Sequence, residues 1–369
     1  MQPVDYKSPA TAYRRLHNFS AGPAILPESV LMEIREELPV YRDIGASILE
    51  ISHRSPEYDD IVASAESLLR SLLGMGEEWH ILFLQGGASL QFYQVPLNFL
   101  SADGSADYLV TGSWAKKAFA EAKRVGKARS VASSDDRNFS YIPTPEQAQY
   151  DEGAAYVHFT SNNTIFGTQY RNEPDAPTPL VCDASSDFLS RPIDLERYGL
   201  IYAGAQKNLG PAGVTLVLVR DDFLQRRNAD LPTMLDYGTH VGTLFNTPPV
   251  FAVYVVEKVL RWLDNLGGVP AMTRINERKA AHLYDRIDRT GFYLGTAQKE
   301  SRSRMNVCFR LASEELEKLF LNEAREAGLL ALKGHRSVGG VRASIYNACP
   351  EESVTAVVDF MDDFERMHG

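Results

Sequence analysis

Residues 199–219 read Gly-Leu-Ile-Tyr-Ala-Gly-Ala-Gln-Lys-Asn-Leu-Gly-Pro-Ala-Gly-Val-Thr-Leu-Val-Leu-Val, a small-residue turn between two apolar runs typical of buried strands. A single lysine, Lys207, lies in this turn with no acidic residue beside it. Gly204, Gly210 and Gly213 would let a bulky group come close to it. An amine in a poorly hydrated pocket has a lowered pKa and can attack a carbonyl carbon. This stretch alone is equally compatible with a solvated loop lysine.

A second stretch, Pro179-Leu180-Val181-Cys182-Asp183-Ala184-Ser185-Ser186, is a short apolar run that ends in an aspartate. Open α/β sheets bind ligands at the carboxyl ends of their strands, where Asp183 would lie, although a helix N-cap is the other interpretation. Two neighbouring strand ends could bring Asp183 and Lys207 into one crevice. Pyridoxal phosphate requires such a pair: a carboxylate that keeps the pyridine nitrogen protonated and a lysine that binds the aldehyde.

The order of strand and helix patterns around these stretches predicts the fold class. Apolar, β-prone runs occur at residues 79–84, 108–111, 128–133, 154–159, 179–182, 200–205 and 214–220. Helical patterns separate several of these runs. Such alternation predicts an α/β fold with a mostly parallel sheet that is covered on both faces.

From about residue 250 the pattern changes to two long helices followed by a compact set of strands and helices. This pattern predicts a small α+β domain at residues 269–369 and a large domain at 17–268. We expect the first residues of the large domain to pack on the small one. Residues 1–16 are predicted to form a loose leader.

Composition excludes several classes of function. The formal net charge is −10 without a basic block, which argues against nucleic-acid and acidic-membrane partners. The three cysteines are too few and too scattered for a disulfide framework or a zinc site, and we expect no metal. No apolar stretch is long enough to span a bilayer, and the polar start does not resemble a signal peptide. We therefore expect a cytoplasmic protein.

Two further features could bind a phosphorylated aromatic ligand. Gly86-Gly87-Ala88-Ser89 falls between a strand and a helix, where backbone N–H groups and the Ser89 hydroxyl can surround an anion. Many such turns need glycine for geometry alone, so the signal is weak. Trp114 begins a predicted helix and could stack on an aromatic ring, although core packing explains it equally well.

Two His-Arg dipeptides, His53-Arg54 and His335-Arg336, occur far apart in the chain, and Arg342 follows the second. Guanidinium groups bind carboxylate or phosphate through paired hydrogen bonds, and imidazolium adds a donor. The two dipeptides therefore suggest two walls of one anion pocket. The alternative for each arginine is a surface ion pair, which contributes only about 0–1 kcal/mol.

Taken together, these motifs resemble the phosphoserine aminotransferase family, which are class-V, fold-type I aminotransferases that use pyridoxal phosphate. The resemblance extends from about residue 17 to the C-terminus. It rests on Asn18-Phe19-Ser20-Ala21-Gly22-Pro23, Ser52-His53-Arg54, Ala203-Gly204-Ala205-Gln206-Lys207-Asn208, Phe245-Asn246-Thr247-Pro248-Pro249, Lys333-Gly334-His335-Arg336 and Arg342-Ala343-Ser344-Ile345-Tyr346-Asn347. It implies a large domain with a seven-stranded type of sheet and a small C-terminal α+β domain.

The resemblance also implies roles for individual residues. Lys207 resembles the lysine that binds the cofactor aldehyde, and Asp183 the partner of the pyridinium nitrogen. The other implied cofactor contacts are Trp114 on the ring, Thr164 on the phenolic oxygen, Ala88, Ser89 and Gln206 on the phosphate, and Asn246 and Thr247 on the phosphate of a neighbouring subunit. The implied substrate contacts are Arg342 on the α-carboxylate and His53, Arg54, His335 and Arg336 on the distal anion. The implied assembly is a homodimer with shared active sites.

The implied reaction is amino transfer between glutamate and 3-phosphohydroxypyruvate in serine biosynthesis. Whether 4-phosphohydroxythreonine of pyridoxine biosynthesis is also a substrate stays open. The alternative is another class-V aminotransferase, such as an alanine– or serine–glyoxylate enzyme, whose substrates lack a distal anion. A dehydrogenase-like nucleotide-binding protein would need a glycine fingerprint with an acidic residue downstream, and we find none.

Overall fold

The computed structural model describes residues 15–369, so nearly all of the predicted leader at 1–16 lies outside the described residues. The helices are α1 (Glu28–Glu37), α2 (Pro56–Leu73), α3 (Gly87–Phe99), α4 (Ser113–Val125), α5 (Asp221–Leu224), α6 (Val250–Asn265), α7 (Gly268–Asp288), α8 (Glu314–Glu326) and α9 (Glu351–His368). The strands are β1 (His17–Asn18), β2 (Trp79–Leu84), β3 (Ser105–Val110), β4 (Lys127–Ser133), β5 (Val157–Thr160), β6 (Asn162–Asn163), β7 (Thr168–Gln169), β8 (Leu180–Asp183), β9 (Tyr198–Gly204), β10 (Thr215–Arg220), β11 (Leu294–Gly295), β12 (Asn306–Arg310), β13 (Leu329–Leu330) and β14 (Val341–Ser344).

Seven strands form the central sheet, in the order β2-β10-β9-β8-β5-β3-β4. The five strands from β9 to β4 are parallel to one another. Strand β10 is antiparallel to both of its neighbours, β2 and β9. Six strands therefore run in one direction and β10 in the other, which confirms the predicted mostly parallel α/β sheet.

Helices cover both faces of this sheet, because its central strands are apolar on both sides. On one face α1, α2 and α6 enclose a core to which they contribute Ile34, Leu69 and Val256. On the other face α3 and α4 pack through residues such as Phe92 and Ala118. Both layers leave one edge of the sheet, at the carboxyl ends of its parallel strands, open to ligands.

The C-terminal elements form a separate core. Strands β11, β12 and β14 make an antiparallel sheet, and Phe309, Phe320 and Phe364 pack between this sheet, α8 and α9. Strand β1 pairs with β13 in parallel, and Phe19 packs into the same core. The first described residues thus contact the C-terminal elements, as expected from the sequence, while the predicted domain boundary stays a prediction.

Three findings on the described residues bear on function classes. Cys182, Cys308 and Cys349 are free and buried. Residues 15–369 hold no group of three His, Cys, Asp or Glu side chains that could bind a metal ion. Within the same range, no helix combines the length and the apolar character that crossing a membrane needs.

Candidate active site

Several of the residues predicted to bind the cofactor lie at the open edge of the sheet, where the parallel strands have their carboxyl ends. Thr164 follows β5, and Lys207 follows β9 by three residues. Asp183 is the last residue of β8, the strand between these two. Trp114 follows β3, and the Gly86 turn follows β2, which runs in the same direction. Parallel strands that end at one edge bring these side chains together, whatever their separation in sequence.

Lys207 is a partly buried amine at the centre of this edge. Its Nζ donates a hydrogen bond to Thr164 Oγ1 at 2.8 Å. Burial lowers the pKa of Lys207 to about 8, and the negative charge of Asp183 opposes that shift. A substantial fraction of the amine is therefore neutral near physiological pH, as a nucleophile or a base must be.

Asp183 is a buried carboxylate, with 4% of its surface exposed. Its Oδ1 accepts the Ser185 backbone N–H at 3.0 Å, so it caps a turn after β8 and not a helix. Burial raises the pKa of Asp183, while the hydrogen bonds from Ser185 and the charge of Lys207 oppose that rise. A buried carboxylate of this kind is stabilised further by a cationic ligand group.

Trp114 lies in the first turn of α4, beside the amine. Lys207 Nζ is 5.9 Å from the centre of its indole ring. The indole Nε1–H is buried and has no hydrogen-bond partner. A flat aromatic group bound at this edge would stack on the indole face.

Ala88 and Ser89 lie in the first turn of α3, after Gly86 with φ of 88°. The first backbone N–H groups of a helix have no partner within it and can bind an anion. The backbone of Gln206 is hydrogen-bonded to the segment before α1, because its carbonyl accepts the Ala24 N–H at 2.8 Å. Within residues 15–369, no hydrogen bond joins Gln206 to Ala88 or Ser89.

Arg342 reaches the same edge from the C-terminal core. It lies on β14, and its Nη1 donates to the Thr164 carbonyl at 3.4 Å. Thr164 therefore contacts both Lys207 and Arg342. His335 and Arg336 lie in the loop just before β14, where the His335 ring is 2.7 Å from Ser337 Oγ. Burial and the charges of Arg342 and Arg336 lower the pKa of His335.

The four remaining predicted site residues are His53, Arg54, Asn246 and Thr247. Arg54, which follows His53, lines a cavity of about 590 Å³ together with Phe245 and Asn246. Asn246 Nδ2 donates to Gln85 Oε1 at 2.9 Å, and Gln85 Nε2 donates to the Thr247 carbonyl at 3.0 Å. This cavity is not lined by Lys207, Asp183 or Arg342. Of the two His-Arg dipeptides, only Arg54 of the first lines this cavity, and their meeting in one anion pocket stays a prediction.

Two of the three glycines predicted to make room for a ligand also have a structural reason of their own. A Cβ on Gly210 would lie 3.0 Å from Val256 of α6, so this glycine allows close helix packing. Gly213 adopts φ of +118°, a conformation that side-chain-bearing residues rarely adopt. Both glycines thus serve the backbone around the Lys207 turn.

Sequence reasoning missed several residues at the site. Ser185 Oγ accepts the Gly204 N–H at 3.0 Å and so joins β8 to β9 beside Asp183. The Asn347 N–H donates to Asn208 Oδ1 at 2.9 Å, which fixes the residue after Lys207. Tyr346 OH donates to the Ala21 carbonyl at 2.8 Å. These contacts are long-range, and only the repeated Ser and Asn near strand ends could have suggested them.

Comparisons with known proteins agree with this geometry. The profile of the class-V aminotransferases matches residues 16–357. A phosphoserine aminotransferase of Lysinibacillus sphaericus (strain C3-41) is 53% identical over 359 residues, which cover 96% of this chain and 99% of the relative.

Two solved structures are also similar. That of phosphoserine aminotransferase from Bacillus circulans subsp. alkalophilus has a TM-score of 0.94 and 49% identity, covering 96% of this chain and 99% of the other. The structure of the pyridoxal-phosphate-bound phosphoserine aminotransferase from Trichomonas vaginalis has a TM-score of 0.90 and 40% identity. It covers 94% of this chain and 100% of the other.

Proposed function

This chain belongs to the class-V aminotransferase family, and from that membership we propose that it is a pyridoxal-phosphate-dependent phosphoserine aminotransferase. It exchanges the amino group between glutamate and 3-phosphohydroxypyruvate, giving 2-oxoglutarate and phosphoserine. The observation that carries this proposal is the half-buried amine of Lys207 next to the buried carboxylate of Asp183. A dehydrogenase or a regulatory nucleotide-binding protein does not require a lysine amine beside a buried carboxylate.

The residues at the sheet edge fit pyridoxal phosphate. The buried Trp114 Nε1–H lacks a partner, and the first turn of α3 offers N–H groups to a phosphate. The Lys207 amine can bind the aldehyde, and Asp183 can hold a proton on the ring nitrogen. When bound, pyridoxal phosphate supplies an aldehyde that exchanges amino groups and a ring that accepts the electron pair of the substrate Cα–H bond.

The proton transfers belong to Lys207. Its Nζ takes the Cα proton of the amino-acid substrate as a general base and returns it as a general acid. Thr164 Oγ1, which accepts a hydrogen bond from Nζ, fixes the position of the amine for both steps. The pKa of about 8 suits both roles, because protonated and neutral forms are then both accessible near neutral pH.

The arginines account for the substrate class. Arg342 binds the substrate α-carboxylate, and its hydrogen bond to Thr164, which also contacts the amine, supports this role. His335 and Arg336 bind the distal group, which is a γ-carboxylate in glutamate and a phosphate in phosphoserine. Guanidinium and imidazolium donors accept either group, because both present paired oxygens with negative charge.

A paired assay tests the proposed function. The purified holoenzyme is given 2-oxoglutarate with either phosphoserine or serine, and glutamate formation is measured. We expect kcat/KM for phosphoserine to exceed that for serine by at least about 10³-fold, because a buried polar site strongly rejects substrates that leave it unpaired. Comparable values for the two would instead favour an enzyme of the serine–glyoxylate type.

We propose further that the enzyme is a homodimer with shared active sites. The cavity lined by Arg54 and Asn246 is rimmed by exposed apolar residues, Leu244 and Phe245, which a partner would cover. A second copy would also let His53, Arg54, Asn246 and Thr247 reach the Lys207 site of its neighbour. The buried free cysteines suit the cytoplasmic location that we propose.

Mixing two inactive variants tests the shared site. Lys207→Ala lacks the amine, and the double variant Asn246→Ala, Thr247→Ala lacks the donated phosphate contacts. If those contacts cross the interface, a hybrid dimer contains one complete site, so mixing after dissociation restores about a quarter of wild-type turnover. No restoration, in preparations shown to have exchanged subunits, would mean that Asn246 and Thr247 act within their own chain.

The pKa of Lys207 predicts how the apoenzyme takes up its cofactor. Only the neutral amine can attack the aldehyde, and the folded-state pKa is lowered to about 8. The rate of uptake should therefore rise about tenfold per pH unit below pH 8 and level off above it. Stopped-flow absorbance on mixing apoenzyme with pyridoxal phosphate measures this rate. A midpoint near the ordinary lysine value would show that the amine is not desolvated.

A further inference from the structure

Lys117 is a second lysine at the candidate active site, and the proposed reaction gives it no role. It lies on α4 three residues after Trp114, which places both side chains on one face of the helix. Its Nζ is 4.5 Å from the centre of the Trp114 ring. The indole therefore has Lys117 as well as Lys207 close to it.

Lys117 differs from its neighbour Lys116 in its partners. Lys116 Nζ is 3.9 Å from Asp135 in an ordinary surface ion pair. Across residues 15–369, Lys117 forms no ion pair with a carboxylate, and its contact is the indole. A cation held over a ring without a counter-ion is available to an incoming anion.

The loop before β14 shares an apolar cluster with Trp114. Val338 of this loop and Trp114 both pack on that cluster. The charge of Lys117 also helps to lower the pKa of His335, after burial and the charges of Arg342 and Arg336. The charge of Lys117 therefore acts on the loop that carries the proposed distal-anion residues, His335 and Arg336.

We propose that Lys117 is a specificity-determining residue, whose charge beside Trp114 and the 333–340 loop favours substrates with a doubly charged distal group. This inference rests on the proposed function. A phosphate monoester carries a charge of about −2 near pH 7, whereas a carboxylate carries −1. Because Coulomb energy scales with charge, removing Lys117 weakens phosphate binding about twice as strongly on a logarithmic scale.

Lys117→Met tests this inference, because methionine keeps an apolar contact with the ring and removes the charge. We expect KM to rise about threefold for glutamate and about tenfold for phosphoserine, with kcat within about twofold of wild type. Lys116→Met is the matched control and should leave both KM values unchanged. Lys117→Arg should restore the preference for phosphoserine over glutamate. Added salt should shrink the difference in KM between Lys117→Met and wild type.

Calorimetric binding to the holoenzyme provides a readout without turnover. Glutarate and 3-phosphoglycerate are unreactive ligands with a carboxylate and a phosphate, respectively. Lys117→Met should weaken 3-phosphoglycerate binding by about the square of the factor found for glutarate. The inference would be overturned if Lys117→Met weakened the binding of both ligands by the same factor, or if Lys116→Met weakened their binding as much as Lys117→Met does. Because this measurement needs no transamination, it stands apart from the paired assay that tests the proposed function.

Discussion

Lys207→Ala is expected to lose essentially all transamination, with kcat reduced by at least about 10⁴-fold. The variant removes both the amine that binds the cofactor aldehyde and the base that moves the Cα proton. The holoenzyme should also lose the visible absorbance that depends on the bond between cofactor and lysine. Turnover in a coupled assay for glutamate, with absorbance spectra of the same samples, measures both effects.

Two controls separate this loss from misfolding. Lys123, an exposed lysine on α4, gives the matched variant Lys123→Ala, which should keep wild-type turnover. Added methylamine should partly rescue Lys207→Ala, because a small amine can occupy the space left by the side chain and accept the proton. Substantial turnover of Lys207→Ala without added amine would remove the lysine from the mechanism.

Asp183→Asn is expected to reduce kcat by about 10³-fold, since a preorganised charge at the reacting centre contributes about that much. Asparagine keeps the shape of the side chain and the acceptor for the Ser185 N–H, so the fold should be preserved. It removes the charge that would keep a proton on the ring nitrogen. Steady-state turnover and thermal unfolding, measured together, show whether activity falls without a loss of stability.

The same variant has a second, independent readout. Asp183 opposes the shift that burial imposes on the pKa of Lys207. In Asp183→Asn that opposition is lost, so the midpoint for cofactor uptake by the apoenzyme should move below pH 8. An unchanged midpoint together with wild-type kcat would contradict the role proposed for the carboxylate.

Much of the fold follows from local sequence patterns. The alternation of apolar runs with helical patterns predicts the α/β class, and the structure confirms it. The direction of β10 could not be predicted in this way, because an antiparallel strand between β9 and β2 is as apolar as its parallel neighbours. Strand direction depends on how the connecting segments cross the sheet.

Part of the candidate site could also be predicted from local sequence patterns. Asp183 ends a strand and Lys207 follows one, and both strands are recognisable in the sequence, so their meeting at one edge could be expected. The contacts of Ser185 and Lys117 depend on side-chain directions that no short pattern encodes. The cavity at Arg54 shows a further limit, since a short pattern does not tell whether His53-Arg54 serves its own chain or, as we propose, a second copy.

Lys207 is the residue that we propose binds the cofactor. Borohydride reduction of the holoenzyme, followed by proteolysis and mass spectrometry, tests this assignment most directly, because reduction makes the carbon–nitrogen bond permanent. We expect one modified peptide, carrying a phosphopyridoxyl group on Nζ of Lys207. A modification on a different lysine, or no modified peptide from a protein that has bound the cofactor, would contradict it.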